Sequence, residues 1–503
     1  MLALGVVDWA VVVAYGAAVF LIGWIAARRQ KSSDDFYLGG RRMPWWALGI
    51  SLIATSFSGV SLIGGTGFGF APGNGMRWIQ LQVGDLLGLG VVMLLFLPFF
   101  SGLGITTAYE YLERRFGVLA RTAASALFIA QTVARAAVVL LPPAIAIHAV
   151  VGWSLGTSIV ASTAVAIAYS AFGGLVAVVW TDVLQMIVVL FAVFSSLAII
   201  DHDVPGGLGA TLRHARAEGQ LETLTLAGER GSIFNLPGAL LAYGVLACSL
   251  FGTNQQSVQR FLSCRDLRSA RRAAILAWGT GTLALFLTLF LGVSLAAWQD
   301  LAPDAVPLGE GDGIFPAFVA SRLPAGIAGL MLAAVFAASM SSIDSAIHST
   351  STAFLVDFVR RFARRPLTPR AELVWAQVAT VAFGVLATLA AFYAAGKGTG
   401  ILDLLVTWLG YFAGPLLGLF LLGMLSRRAN EGGAIVGVGA AFLGIVGVVL
   451  ARGEKPWGWH PLWLAPVSTV VTGVVGWAAS LLWPPPDPLR LRGLVRGSPA
   501  PPD

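Results

Sequence analysis

Charge is what this chain has least of. Asp, Glu, Lys and Arg make up 11% of its 503 residues, where a soluble domain carries about 25%. That shortage excludes an ordinary water-soluble globule. Two cysteines, Cys248 and Cys264, offer neither a disulfide framework nor a metal-ligand spacing. Five histidines with no HExxH motif leave a metalloenzyme without its chemistry, so the chain is not read as an enzyme. Its arginines are scattered over separate segments and form no single basic face, which argues against a nucleic-acid partner.

What the chain has instead is apolar length. Hydrophobic residues make up 57% and mean hydropathy is +0.81. Thirteen apolar runs read as membrane spans, near residues 6–27, 44–70, 78–100, 120–150, 154–171, 173–200, 233–256, 271–297, 314–358, 372–395, 400–425, 432–451 and 463–483. The first lacks a preceding basic region and is long enough to remain as a span, and not to be cleaved as a signal peptide. The run 314–358 exceeds one crossing, so its first part is expected to be a helix outside the membrane. An odd number of spans with the N-terminus outside gathers the basic residues of segments 28–42, 114–121, 260–272, 360–370, 427–428 and 490–496 on the cytoplasmic side, as the positive-inside rule requires. In this reading Arg260 belongs to a cytoplasmic loop, and Arg135 alone is basic at membrane depth.

An acid at that depth is costly unless it is paired, binds an ion or meets water. Asp182 lies about ten residues inside the span 173–200, which makes it the first mark of an ion or substrate pathway. Residues 51–75, SLIATSFSGVSLIGGTGFGFAPGNG, combine hydroxyls and glycines within one span. That composition suits an interrupted helix whose freed carbonyls coordinate a cation; close helix packing through small residues is the other reading. A second hydroxyl-rich stretch is Ala337–Thr352, AASMSSIDSAIHSTST. Helical spacing puts Ala338, Ser341, Ser342, Ser345 and Ser349 on one side, with Asp344 beside them. Serines in membrane helices also bond to their own backbone, a reading that does not cover Asp344. Arg135 cannot shed its charge and needs an anionic partner or a wet cavity. A substrate carboxylate, an internal bridge to Asp85, or snorkelling toward the arginine-rich face would each serve.

GGLVAVVWTDVLQ (Gly173–Gln185) resembles the signature G-G-x-x-A-V-x-x-T-D-x-x-Q of the sodium:solute symporters, relatives of the sodium/glucose, sodium/proline and sialic acid transporters. TAYEYLERRFG (Thr107–Gly117), GTNQQSVQRFLS (Gly252–Ser263), AASMSS (Ala337–Ser342) and GYFAGPLLGLFLLG (Gly410–Gly423) match in the family's order. The resemblance implies an all-α LeuT-type membrane fold, two five-helix inverted repeats around a midplane site. The chain then divides into an extra N-terminal helix and loop (1–43), a first repeat (44–200), an extracellular loop (201–232), a second repeat (233–425), two further helices (426–483) and a cytoplasmic tail (484–503). It also implies Na+ as coupling ion, held in a principal site by carbonyls of Ala54, Phe57 and Ala338 and hydroxyls of Ser341 and Ser342. A second site found in some members would fall on Asp182, Ser345 and Asp344, the last standing where the pattern has a serine.

For the substrate, the sialic acid branch carries an arginine on the helix corresponding to that of Arg135, which binds a carboxylate. Ser56, Ser58, Ser61 and Gln80 resemble that branch's polar lining. The neutral-sugar positions hold Ala247, Leu250 and Gly281, and the proline branch's aspartate is replaced by Ser56. The expectation is a sodium-coupled symporter in the plasma (inner) membrane importing a small carboxylated solute, sialic acid first. A monocarboxylate or neutral sugar is the alternative, and a transporter-like sensor is disfavoured by the short tail after Leu482.

Overall fold

The computed structural model describes residues 5–28, 38–170, 175–226, 231–397, 400–453 and 456–497. Phe172, Gly173 and Gly174 of the signature stretch lie outside them. Helices account for all the regular structure among the described residues. Those used below are α1 (Val6–Arg28), α2 (Trp45–Ser56), α3 (Gly59–Phe70), α4 (Leu81–Val91), α5 (Ala108–Arg115), α6 (Val118–Val139), α7 (Leu155–Ser170), α8 (Leu175–Asp203), α9 (Gly244–Gly252), α10 (Gln255–Leu262), α11 (Leu267–Leu301), α12 (Ile314–Arg322), α13 (Ile327–Phe354), α14 (Pro369–Ala395), α15 (Ile401–Leu425), α16 (Glu431–Arg452) and α17 (Leu464–Ala479).

Among the described residues ten helices are long and apolar enough to cross a membrane, and α2 and α3 form a bent pair with a 61° angle between them. Leu155–Ile167 and Gly238–Gly252 are apolar but shorter. A count of thirteen crossings therefore rests on taking the bent pair and both short helices as one span each. The run 314–358 divides into α12 and α13 at a turn where Gly326 adopts φ +89°. The hydroxyl-rich stretch 337–352 is not interrupted: α13 runs through it as continuous α-helix and changes to a π-helical turn only at Leu355–Val359.

The core is built around α13. It packs on α8, α1, α6 and α14, while α11 lies along both halves of the bent pair. Its N-terminus is held by the first helix of the chain: Asp8 Oδ1 accepts from the backbone N–H of Gly326 (2.7 Å) and Gly329 (2.8 Å). An N-terminal turn leaves its amides without intrahelical partners, and a carboxylate there also opposes the helix dipole. At the arginine-rich end, buried Asp357 accepts from Arg121 Nε (2.7 Å), Thr107 Oγ1 (3.0 Å) and Ser125 Oγ (2.9 Å). That carboxylate ties the π-helical turn after α13 to α6 and to the start of α5.

Candidate functional site

The break between α2 and α3 falls at Phe57 and Ser58. A helix end leaves up to four carbonyls unsatisfied, and in a membrane each must find a donor. Here every one is accounted for. Ile53 O takes the N–H of Phe57 (2.6 Å), the last turn that the chain completes for itself. Ala54 O accepts from Ser341 Oγ (2.8 Å) and Thr55 O from Ser342 Oγ (2.8 Å), both on α13. Arg135 Nη2, from α6, donates to Thr55 O and, at 3.5 Å, to Ser56 O. On the far side of the break, Ser58 Oγ caps α3 by accepting from Val60 N (3.2 Å). The interrupted helix is thus held open by two hydroxyls and a guanidinium supplied from outside it.

Ser341 Oγ also lies 2.9 Å from Ala338 O. Ala54, Ala338 and Ser341 therefore converge with Ser342 close by, an all-oxygen set of neutral donors suited to a small hard cation. Phe57, the remaining residue expected there, is buried at the break itself. The hydroxyl protons now point at carbonyls, and rotating each O–H away would turn both hydroxyl oxygens into ligands.

Close approach of α3 to α13 depends on Gly59. A Cβ there would stand 2.2 Å from Ser339 Oγ and 2.8 Å from Pro142 Cβ. Gly59→Ala is expected to push the two helices apart, at a cost of about 1–3 kcal/mol for overpacking. A thermal melt in detergent checks this, and an unchanged melting temperature would show that the site yields without strain.

Asp182 on α8 is fully buried, and the sequence reading did not find its partner. Its Oδ2 accepts from Ser51 Oγ (2.5 Å) and from Arg260 Nη2 (3.1 Å). Arg260 is only 1% exposed and lies within a helix, not in the exposed loop expected from its surroundings in sequence. It sits on α10, a short helix whose every residue is buried and whose start is capped by Asn254, Oδ1 accepting from Gln256 N. The same guanidinium donates from Nε to Ser51 Oγ (2.7 Å), from Nη2 to Ser345 Oγ (2.6 Å) and from Nη1 to Gln256 O (2.8 Å). Ser345 in turn meets Thr55 Oγ1 at 2.9 Å. Asp182 and Ser345 are thus brought into one cluster, with an arginine between them. Asp344 is buried next to Ser345 on α13, and both it and Asp182 lie within electrostatic reach of Tyr15 on α1.

Arg135 is 6% exposed, and no carboxylate among the described residues forms an ion pair with it. This removes the bridge to Asp85. Its Nη1 keeps a 3.3 Å bond to Gln256 Oε1, and its Nε is buried with no acceptor. The expected polar lining divides. Ser56 and Ser58 flank the break beside Arg135, and Ser61 follows one turn along α3. Gln80 is taken up by backbone elsewhere, donating to Arg77 O (2.8 Å) and accepting from Thr225 N (3.1 Å).

Comparison with known proteins agrees with this architecture. The family model described as Sodium:solute symporter family matches residues 36–452. The sodium/sialic acid symporter SiaT of Proteus mirabilis is 30% identical over 456 residues, covering 89% of this chain and 90% of that protein. Human sodium-coupled monocarboxylate transporter 1 is 31% identical over 435 residues, covering 85% of this chain and 70% of its own. A Na+-coupled sialic acid symporter solved in a substrate-bound outward-open state superposes with a TM-score of 0.84 at 27% identity, over 96% of this chain and 99% of that one.

Proposed function

The chain belongs to the sodium:solute symporter family, and on that premise we propose that it imports a carboxylated solute, a sialic acid first, anchored on Arg135. It is a multi-pass, LeuT-type, sodium-coupled symporter. The observation carrying the substrate reading is the state of Arg135. A guanidinium at the break of a membrane helix keeps donors without strong acceptors and has no carboxylate partner among the described residues. A carboxylate of the solute supplies both the charge and the acceptors. Ser56, Ser58 and Ser61 then lie along the same helical break, where hydroxyls suit a polyol chain. Gln80 is the weakest member of the set, since both ends of its amide are already engaged.

Sodium, as co-transported cargo, would be held by the carbonyls of Ala54, Phe57 and Ala338 and by Ser341 and Ser342. The second set, Asp182, Ser345 and Asp344, is open to a cation only if Arg260 gives way, because its guanidinium already lies on two of the three. Distribution of basic residues supports an N-terminus outside and a C-terminus in the cytoplasm, with repeats at 44–200 and 233–425. Monocarboxylates are the second reading, since the same clamp fits any carboxylate and a monocarboxylate transporter is 31% identical.

The test is uptake into proteoliposomes of labelled N-acetylneuraminic acid, lactate and a neutral sugar, with and without a sodium gradient. Sodium-driven accumulation of N-acetylneuraminic acid is expected. Accumulation of the neutral sugar alone would overturn the carboxylate reading.

A further inference from the structure

Far from the break, α15 and α17 leave a groove of about 750 Å³ between them on the outer surface of the bundle. Its walls are Leu421, Leu425, Val470, Val474 and Trp477, and its mouth is Ser426, Arg427 and Arg428. Leu425, Val470 and Val474 are each more than half exposed, on helices apolar enough to span a membrane, so the groove faces hydrocarbon. A Cβ added at Gly473 would meet nothing within 4 Å, which leaves the floor of the trough clear at that point.

The charge at the mouth is not spent internally. Arg427 Nη2 donates to Gly497 O (2.8 Å) and Arg428 Nη2 to Trp483 O (2.8 Å). Arg428 Nη1 is buried with no acceptor, and neither arginine forms an ion pair among the described residues. Carbonyls at the end of α15 would ordinarily repel an anion. Here Arg115 offsets them, donating to Gly423 O (3.0 Å) in the last turn and to Ser426 O (2.5 Å) and Ala429 O (3.0 Å) just beyond it. Three guanidiniums therefore surround one helix end above an apolar trough.

We propose that this groove is a binding site for an anionic phospholipid. An acyl chain lies along Leu421, Val470 and Val474, and the phosphate takes the exposed guanidinium of Arg427, with the charge of Arg428 beside it. The juxtaposition matches a lipid in both polarity and order, with apolar length in the membrane and paired cations at its edge. A second copy of this chain fits less well, because a two-fold contact would bring the same arginines face to face.

The experiment uses the full chain, purified in detergent, with phosphatidylglycerol and phosphatidylcholine of identical acyl chains. Retention is followed by native mass spectrometry and stabilisation by thermal melt. Wild type is expected to retain phosphatidylglycerol preferentially, and Arg427→Gln with Arg428→Gln to weaken it on the order of tenfold. Gly473→Leu, which fills the trough and leaves the arginines in place, is expected to weaken both lipids. Equal retention of the two lipids by wild type would overturn the proposal, and that comparison needs no variant to fold. Binding of glycerol 3-phosphate as tightly as the lipid would overturn it as well, reducing the site to a phosphate cradle. Neither readout depends on transport, so failure here leaves the symporter reading standing, and the converse also holds.

Discussion

Arg135→Ala is expected to abolish sodium-driven uptake of a carboxylated solute. Truncating one partner of a buried, hydrogen-bonded charge pair costs about 2–5 kcal/mol, or roughly thirty-fold to several thousand-fold in affinity. The side chain has two roles, and they must be separated. It caps the carbonyls of Thr55 and Ser56 at the end of α2, and it presents its remaining donors toward the break. Arg135→Lys separates the roles, because an ammonium can still cap a helix end but cannot grip a carboxylate with a planar fork. The lysine variant should melt close to wild type and still lose most of its affinity for the anion. If the alanine variant transports normally, Arg135 serves only to hold the broken helix, and the carboxylate clamp is wrong.

The second large effect concerns Arg260. Arg260→Gln leaves the Asp182 carboxylate in the bundle interior with only Ser51 beside it. Breaking a buried pair from one side typically costs about 3–5 kcal/mol. Combining it with Asp182→Asn removes the orphaned charge, so the double variant should recover much of the lost stability. Thermal melts of wild type, both single variants and the double variant give the coupling energy directly. Strictly additive losses would mean that the 3.1 Å contact contributes nothing to the fold. The same cycle bears on energetics of uptake. One sodium entering with one carboxylate moves no net charge, whereas a second would add about 2.3 kcal/mol of drive per 100 mV. Since Arg260 already lies on Asp182 and Ser345, a second sodium would have to compete with a cation tethered in place.

Most of this was legible because membranes make polar groups conspicuous. Asp182, Arg135 and the serines of α13 stand out against apolar surroundings, and the glycine- and hydroxyl-rich stretch 51–75 marked the interruption that occurs at Phe57 and Ser58. Arg260 escaped for the opposite reason. It lies in QQSVQRFLSCRDLRSARR, where polar residues are common, and composition alone assigns such a stretch to a water-exposed loop. The fold buries all of α10 and bonds Gln255, Gln256 and Arg260 to other elements. The available signal was the match of GTNQQSVQRFLS to the family pattern, which points to a constrained segment without saying what its arginine touches. Gln80 shows a related limit. The resemblance grouped it, on the next span, with the hydroxyls of the polar lining, while its side-chain amide bonds to backbone of Arg77 and Thr225, and a contact across such a distance in sequence cannot be read from local pattern.

Asp8 sets an order of events in time. Its carboxylate is made with α1, yet the amides it caps lie 318 and 321 residues further along the chain. Until Gly326 and Gly329 have been synthesised and inserted, that helix carries an acid near its end without the partners it keeps in the finished protein. Contacts of such separation form late and slowly. Docking of α1 onto α13 is therefore among the closing steps of assembly, and Ser341 and Ser342 of α13 reach their final setting only when α1 has found its place.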